Sequence, residues 1–267
     1  MHLAIEAMRR AYCDRARHLG DADFVAIPPH LTTKEYARKL AVQIDLAKAT
    51  PSESLAPEIP LAAEPRETTH FSIVDKDEMA VANTYTLEDS YGSRVMVRGA
   101  GFLLNNEMTD FNRVPGRTDR KGAIGTPANL IAPGKRMLSS QTPTLVCRDH
   151  PSDGARRVVL VTGSPGGRTI INTVLCTIVN FVDFRMDIGR AVDAPRLHHQ
   201  WFPDRVSFEG LKQPEYAAAV GQLKRMGHRF DPKSGTQGDA HSIWVDPHTG
   251  RYVGAADRRI DGRAAGY

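Results

Sequence analysis

The stretch from Thr50 to Glu67 constrains this chain most, because it cannot continue the elements on either side of it. It carries Pro51, Pro57, Pro60 and Pro65 and has no periodic apolar face, so it reads as a mobile linker. Directly after it, Thr68, Phe71, Ile73 and Val74 open a strand-like run that continues past a short turn as Met79 to Leu87. The chain therefore divides into residues 1–67 and 68–267. A threonine that opens a strand just after a flexible acidic stretch is where a self-cleaving hydrolase places its nucleophile. The hydroxyl attacks the preceding carbonyl, the backbone breaks, and the freed amine can act as a base. Such an amine titrates at about 8, close to the range that general-base catalysis favours. The competing reading is plain: threonine is common in strands, where it does no chemistry.

With the turn centred on Asp77, an antiparallel hairpin pairs Val74 with Ala80, Ser72 with Ala82, His70 with Thr84 and Thr68 with Thr86. Directly opposed Cβ atoms lie roughly 5 Å apart, which lets Thr86 orient the Thr68 hydroxyl. An ordinary Thr–Thr cross-strand pair is the other reading. His70 shares the alternation of Thr68 and is given no proton-transfer role.

Composition narrows the classes. With 267 residues, 41% of them hydrophobic, and a formal charge of +4, the chain has apolar material for one or two soluble domains. Its arginines are dispersed and not interleaved with aromatics, which argues against a nucleic-acid partner. The Arg9–Arg10 pair is expected on the solvated surface. No apolar run reaches the length of a membrane span, and no basic-then-apolar leader opens the chain. Met1 to Tyr12 reads as the middle of a helix without a start signal, so the native beginning is expected upstream. Cys13, Cys147 and Cys176 have no metal-ligand spacing and give no disulfide framework; Cys176 is expected to be buried in an apolar helix. His198 and His199 are adjacent, so on a strand their rings diverge. That suits a structural role near Trp201 better than a zinc site.

Helices and strands follow in mixed order. A first helix ends near Gly20. Thr32 and Glu35 have capping-box spacing ahead of a second helix with Tyr36, Leu40, Ile44 and Ala47 on one face. Val95 to Asn105 reads as a strand, 112–137 as a long surface loop, and Leu145–Cys147 and Val158–Thr162 as strands. Ile171, Val174, Leu175, Ile178 and Val182 mark an amphipathic helix over 168–184, and Gln213–Met226 a further helix stopped by Gly227. Ser242–Asp246 and Tyr252–Ala256 form a late hairpin. Such an α+β pattern is buried best in a layered sandwich.

TGSPGG at 162–167 falls between a strand and a helix. Glycines there let backbone N–H groups face an anion near a helix N-terminus. A phosphate loop needs Gly-Lys-Ser/Thr and a dinucleotide site needs GxGxxG, and neither is present. Ser164 lacks the Gly-x-Ser-x-Gly frame of a nucleophile elbow. A tight strand-to-helix turn is the remaining reading. LSS (138–140) alone reads as a polar turn, and Glu107 with Asp110 as a solvated acidic pair.

Together, TTHFSIVDKD (68–77), NTYTL (83–87), GFLLNNEMTDF (101–111), LSS (138–140), TGSPGG (162–167) and AGY (265–267) resemble the gamma-glutamyltransferase family, also called glutathione hydrolases. Its members are N-terminal-nucleophile enzymes that cut themselves into a large and a small subunit. Residues 68–267 resemble a complete small subunit, and residues 1–67 the end of a large subunit with its linker. The resemblance implies the four-layer αββα sandwich of N-terminal-nucleophile hydrolases, incomplete here because most of the large subunit is absent. It implies autoprocessing between Glu67 and Thr68, with Thr68 as nucleophile and Thr86 orienting it. The amides of Gly166 and Gly167 would form the oxyanion hole, each donor worth about 3 kcal/mol of barrier. Ser139 and Ser140 would hold the substrate α-carboxylate, and Glu107 and Asp110 its α-ammonium. The implied substrates are glutathione and other γ-glutamyl compounds, with transfer to water or to an acceptor amino acid or peptide. No metal or organic cofactor is implied, and the partner is the chain's own cleaved large-subunit segment. Family members are often exported, so a periplasmic or secreted enzyme is expected.

Three departures bear on specificity. Where the family usually has Asn two positions after its second threonine, this chain has Glu88, a substrate-binding candidate that can still meet the ammonium but adds negative charge beside the glutamyl group. VPGRTDRKGAIG (114–125) carries no aromatic gate, which implies a more open entrance. The family's large-subunit arginine lies outside this chain, and losing a bidentate carboxylate contact weakens binding. Two alternatives stand beside the main reading: a related amide acylase, and an inactive fragment needing the missing portion. A fragment would leave sheet edges and apolar surface uncovered, so poor solubility or oligomerisation is expected of it.

Overall fold

The computed structural model describes residues 1–56, 68–150 and 153–266. In chain order its regular elements are α1 (His2–His18), α2 (Lys34–Val42), β1 (Thr69–Val74), β2 (Ala80–Tyr85), β3 (Thr144–Asp149), β4 (Arg156–Thr162), α3 (Ile170–Val182), α4 (Ile188–Asp193), β5 (Leu197–His198), β6 (Ser207–Phe208), α5 (Ala217–Arg225), β7 (Ser242–Val245) and β8 (Tyr252–Ala255). They fall into two compact units. Among the described residues, one draws on 1–56, 106–139 and 197–235, the other on 68–105, 140–196 and 236–266.

The second of these is layered around the antiparallel sheet β3-β4-β7-β8. On one face α3 and α4 bring Ile178, Phe181, Ile188 and Val192 onto Leu160, Ala240 and Ala255. The β1–β2 hairpin lies against β4 and β7. Its register is the expected one, with Val74 opposite Ala80, Ser72 opposite Ala82 and His70 opposite Thr84. Asp75 sets the turn: its carboxylate accepts the N–H groups of Asp77 and Met79 at 2.8 and 2.9 Å, and Glu78 takes φ +65°. Strand alternation then buries His70 and Thr84 on the inner face and leaves Phe71, Ile73, Val81 and Tyr85 exposed.

In the other unit, α1 buries Ile5, Met8, Tyr12 and Ala16, spaced to share one helix face. Arg9 and Arg10 are buried too, at 2% and 4% exposure, contrary to the expected solvated pair. Counter-charges explain this. Glu6 pairs with Arg9 at 3.3 Å and with Arg10 at 2.5 Å, and Arg9 also meets Asp204. A buried charge is tolerable only when paired in this way.

Several sequence expectations shift. Helix α1 ends near Gly20 as expected, with Leu19 its C-cap and Gly20 at C′, but Gly20 is not among the positive-φ glycines; its lack of a side chain serves another end, since a Cβ there would meet the Ala128 carbonyl at 2.1 Å. The cap of α2 is Thr33, not Thr32, accepting the Tyr36 N–H at 3.2 Å. Helix α2 stops at Val42, and Ile44 joins Tyr36 and Leu40 in lining an apolar groove of about 570 Å³ beside α1. Val95–Asn105 is no strand but a tight reversal with an isolated Met96–Leu103 bridge, because Gly99 and Gly101 both take positive φ. The 112–137 segment is not simply surface, since Asn112, Thr118, Thr126 and Asn129 are buried. Cys176 is half-buried, whereas Cys13 is buried.

The first part of the expected linker is anchored. Ser52 is fully buried. Its hydroxyl accepts from Arg9 and donates to the Trp201 carbonyl, both at 2.7 Å. The Trp201 indole N–H returns to the Ser52 carbonyl at 2.8 Å. Residues 57–67 lie outside the described residues. His199 supports this anchor: its Nδ1 accepts the Trp201 N–H at 3.1 Å and its Nε2 meets Asp204 at 3.3 Å.

Candidate active site

Thr68 is half-buried and stands one residue before β1, whose last ladder pair is Thr69 with Tyr85. Thr86 follows Tyr85 on the opposing strand. Its Oγ1 accepts the Glu88 backbone N–H at 2.8 Å, a side-chain turn that bends the chain out of β2. Glu88 takes φ +76° and is 6% exposed. A non-glycine residue there is held against a strain of about 1 kcal/mol or more. The Glu67 side of the expected cleavage site lies outside the described residues.

TGSPGG joins β4 to α3. Thr162 ends the strand with its Oγ1 2.8 Å from Ser242 Oγ. Ser164 is fully buried; its hydroxyl donates to the Pro165 carbonyl at 2.7 Å and accepts the Asp239 N–H at 2.9 Å. That occupied hydroxyl serves as a brace, not a nucleophile. Gly166 and Gly167 then take φ +127° and +54°, and the Thr169 hydroxyl closes on the Gly166 carbonyl at 2.8 Å. A Cβ on Gly166 would lie 2.6 Å from Thr169 Oγ1 and 3.1 Å from Gly238 Cα. Successive positive-φ glycines before a helix form the kind of backbone concavity that receives an anion.

Ser140 belongs to this same unit and is half-buried. Ser139, Glu107 and Asp110 belong to the other. There Glu107 and Asp110 share a short 3-10 turn, which Asn129 steadies by donating to the Asp110 carbonyl at 2.7 Å. Arg15 reaches the Ser139 carbonyl at 3.5 Å. Thr68, Thr86, Glu88, Ser140, Gly166 and Gly167 are thus in one compact unit.

Sequence reading passed over the groups behind the hairpin. His70 is 4% exposed. Its Nδ1 lies 2.8 Å from Thr84 Oγ1 and its Nε2 3.1 Å from Ser72 Oγ. Burial, with the nearby His241, pulls its pKa down to about 4. His241 pairs with Asp239 at 3.0 Å, and that hydrogen bond raises its own pKa. The available signal was Gly163, where a Cβ would fall 2.1 Å from the His70 ring. Elsewhere His2, Glu6 and His228 come within 4.8 Å of one another. The carboxylate there already answers Arg9 and Arg10, and the two imidazoles bond each other at 2.8 Å. The two guanidinium groups balance the Glu6 charge in that cluster.

Among the described residues no helix is long and apolar enough to cross a membrane. The gamma-glutamyltranspeptidase family model matches residues 1–267. The glutathione hydrolase proenzyme of Escherichia coli is 42% identical over all of this chain, which spans 44% of that relative's length. A crystal structure of an acivicin-inhibited gamma-glutamyltranspeptidase is 44% identical, with a TM-score of 0.64 over 72% of this chain and 98% of that one. An acylase proenzyme, ACY 1 of Pseudomonas sp., is 31% identical over 98% of this chain and 42% of its own length. The fold is the α+β fold of N-terminal-nucleophile hydrolases, and the chain belongs to the gamma-glutamyltranspeptidase family.

Proposed function

We propose that the protein is a γ-glutamyl hydrolase and transferase that frees its own nucleophile at Thr68. The observation that carries this reading is the hairpin register, which brings the Thr68 and Thr86 ends together in the unit that holds the Gly166–Gly167 turn. In processing, Thr68 Oγ1 attacks the Glu67 carbonyl and the amide shifts to an ester. Water hydrolyses that ester and leaves a free Thr68 amine. In turnover that amine takes the hydroxyl proton as Oγ1 attacks the substrate γ-carbonyl. It then passes the proton to the departing amine, and a γ-glutamyl ester remains on Thr68. Gly166 and Gly167 N–H groups meet the oxyanion, and Thr86 orients the nucleophile. Glu107, Asp110 and Glu88 are assigned to the α-ammonium, and Ser139 and Ser140 to the α-carboxylate. Water, or an acceptor amino acid or peptide, resolves the ester. Glutathione and related γ-glutamyl amides are the substrate class, in an exported enzyme whose 1–67 segment stays with residues 68–267 as its partner.

A second reading is amide acylase activity on a different acyl group. The buried Glu88 favours it, since a carboxylate there repels a substrate α-carboxylate, and so does the likeness to the ACY 1 acylase. Parallel assays of γ-glutamyl and non-γ-glutamyl anilides decide between them. A fragment beginning at Thr68, lost in Thr68→Ala, supports both. Its absence from folded protein favours an inert piece of a longer enzyme.

A further inference from the structure

Four segments of one unit converge on the His70 ring. It sits on β1, two residues after Thr68, with Thr84 of β2 at 2.8 Å and Ser72 at 3.1 Å. The Ser72 hydroxyl donates to the His241 carbonyl at 2.8 Å. The ring also lies against Gly163, where a Cβ would come within 2.1–2.6 Å of three ring atoms. Ser72 has a single proton and spends it on that carbonyl, so towards His70 its oxygen can only accept. The ring must then carry its proton on Nε2, and Nδ1 must accept from the Thr84 hydroxyl. The bonds run one way, from Thr84 through His70 and Ser72 to the backbone of His241.

We propose that His70 is a positioning residue: its ring and this one-way chain fix the strand carrying Thr68 against the loop carrying Gly166 and Gly167. The inference rests on the reading of Thr68 as nucleophile. It also accounts for Gly163, because any side chain there would displace the ring and, with it, the spacing between nucleophile and oxyanion donors. His70 has both ring nitrogens engaged by hydroxyls, those of Thr84 and Ser72. Its effect is geometric, and about an ångström of misplacement costs on the order of 100-fold in rate.

The test is a double-mutant cycle in the full gene product, with NMR of the wild-type ring. His70→Ala lowers kcat on the order of 100-fold with KM nearly unchanged, and His70→Asn, which keeps an acceptor towards Thr84, recovers part of the loss. Gly163→Ala is damaging alone and far less so on top of His70→Ala, because the clash is with the ring. Ring ¹⁵N shifts give the Nε2–H tautomer. Independent, multiplying effects of the two substitutions, an Nδ1–H tautomer, or loss of thermal stability with kcat intact would overturn the proposal. Where His70→Ala fails to fold, His70→Asn takes its place in the cycle. A wild type that neither frees Thr68 nor turns over defeats the functional reading as well, whereas failure confined to the variants defeats this inference alone.

Discussion

Replacing Gly166 by alanine tests the loop at its tightest point. Its φ of +127° is a conformation that L side chains rarely adopt, and forcing one into such a region costs about 1–3 kcal/mol. The added Cβ also meets Thr169 Oγ1 at 2.6 Å and Gly238 Cα at 3.1 Å. The hydroxyl can rotate away, but it then gives up its 2.8 Å bond to the Gly166 carbonyl, worth about 1 kcal/mol. Gly238 is backbone with φ +64° and is itself wedged against Ser164 and Thr173, so it yields little. The loop must shift, and the Gly166 and Gly167 amides shift with it. Losing one oxyanion donor costs about 3 kcal/mol in the transition state, roughly 10²–10³ in kcat. The assay is release of a chromophoric amine from a γ-glutamyl anilide, with parallel unfolding curves. Gly166→Ala is expected to lose 100-fold or more in kcat (about 3 kcal/mol) while a folded core remains. A variant with wild-type kcat would refute the assignment of this turn to the oxyanion.

Other consequences follow from the same structure. Asp204→Ala removes the partner of Arg9, His199 and the Ser52 N–H; leaving Arg9 buried should cost about 3 kcal/mol in urea unfolding, and a loss below about 1 kcal/mol would show that Glu6 alone suffices. His70, His199 and His228 each titrate at about 4 because burial disfavours their charged forms. The unfolded chain therefore binds more protons between about pH 6.5 and 4, and stability falls as pH drops through that window, by up to about 1.4 kcal/mol per unit for each ring. His241, raised by Asp239, contributes fully below its unfolded pKa and loses that contribution only as pH rises through its folded one, so it does not offset the fall. A flat urea midpoint over that window would contradict the burial argument. Glu88→Asn removes a buried carboxylate beside Thr86 and, with Glu88 assigned to the α-ammonium, should raise KM for γ-glutamyl substrates relative to non-γ-glutamyl amides; a lowered KM would favour the acylase reading, and an unchanged ratio would detach Glu88 from specificity.

What could be read from the residues alone was what local rules decide. A turn centred on Asp77 and the strand-like run after Thr68 predict the register from Val74–Ala80 to His70–Thr84, and the β7–β8 hairpin is of the same kind. Long-range balance was invisible. Arg9 and Arg10 look solvated until Glu6 and Asp204 are beside them. Ser52 looks like part of a proline-rich linker until Trp201, 149 residues later in the chain, takes both ends of it. Gly20 sat where a helix cap belongs, but its lack of a side chain serves the approach of Ala128. In the proposed site, the hairpin register and a strand-to-helix turn at TGSPGG followed from local pattern, whereas the roles proposed for Thr68, Thr86, Gly166 and Gly167 came from the family resemblance. The clamp on His70 was not legible, since it needs β2, His241 just ahead of β7 and the loop after β4 in one place.

Intact-mass and N-terminal analysis of the folded, full gene product, before and after exposure to a covalent γ-glutamyl analogue, bears most directly on the account. Scission between Glu67 and Thr68, and an adduct carried by the Thr68 hydroxyl, both absent from Thr68→Ala, are the expected results. An unbroken backbone at that junction, with no label on Thr68, would contradict it.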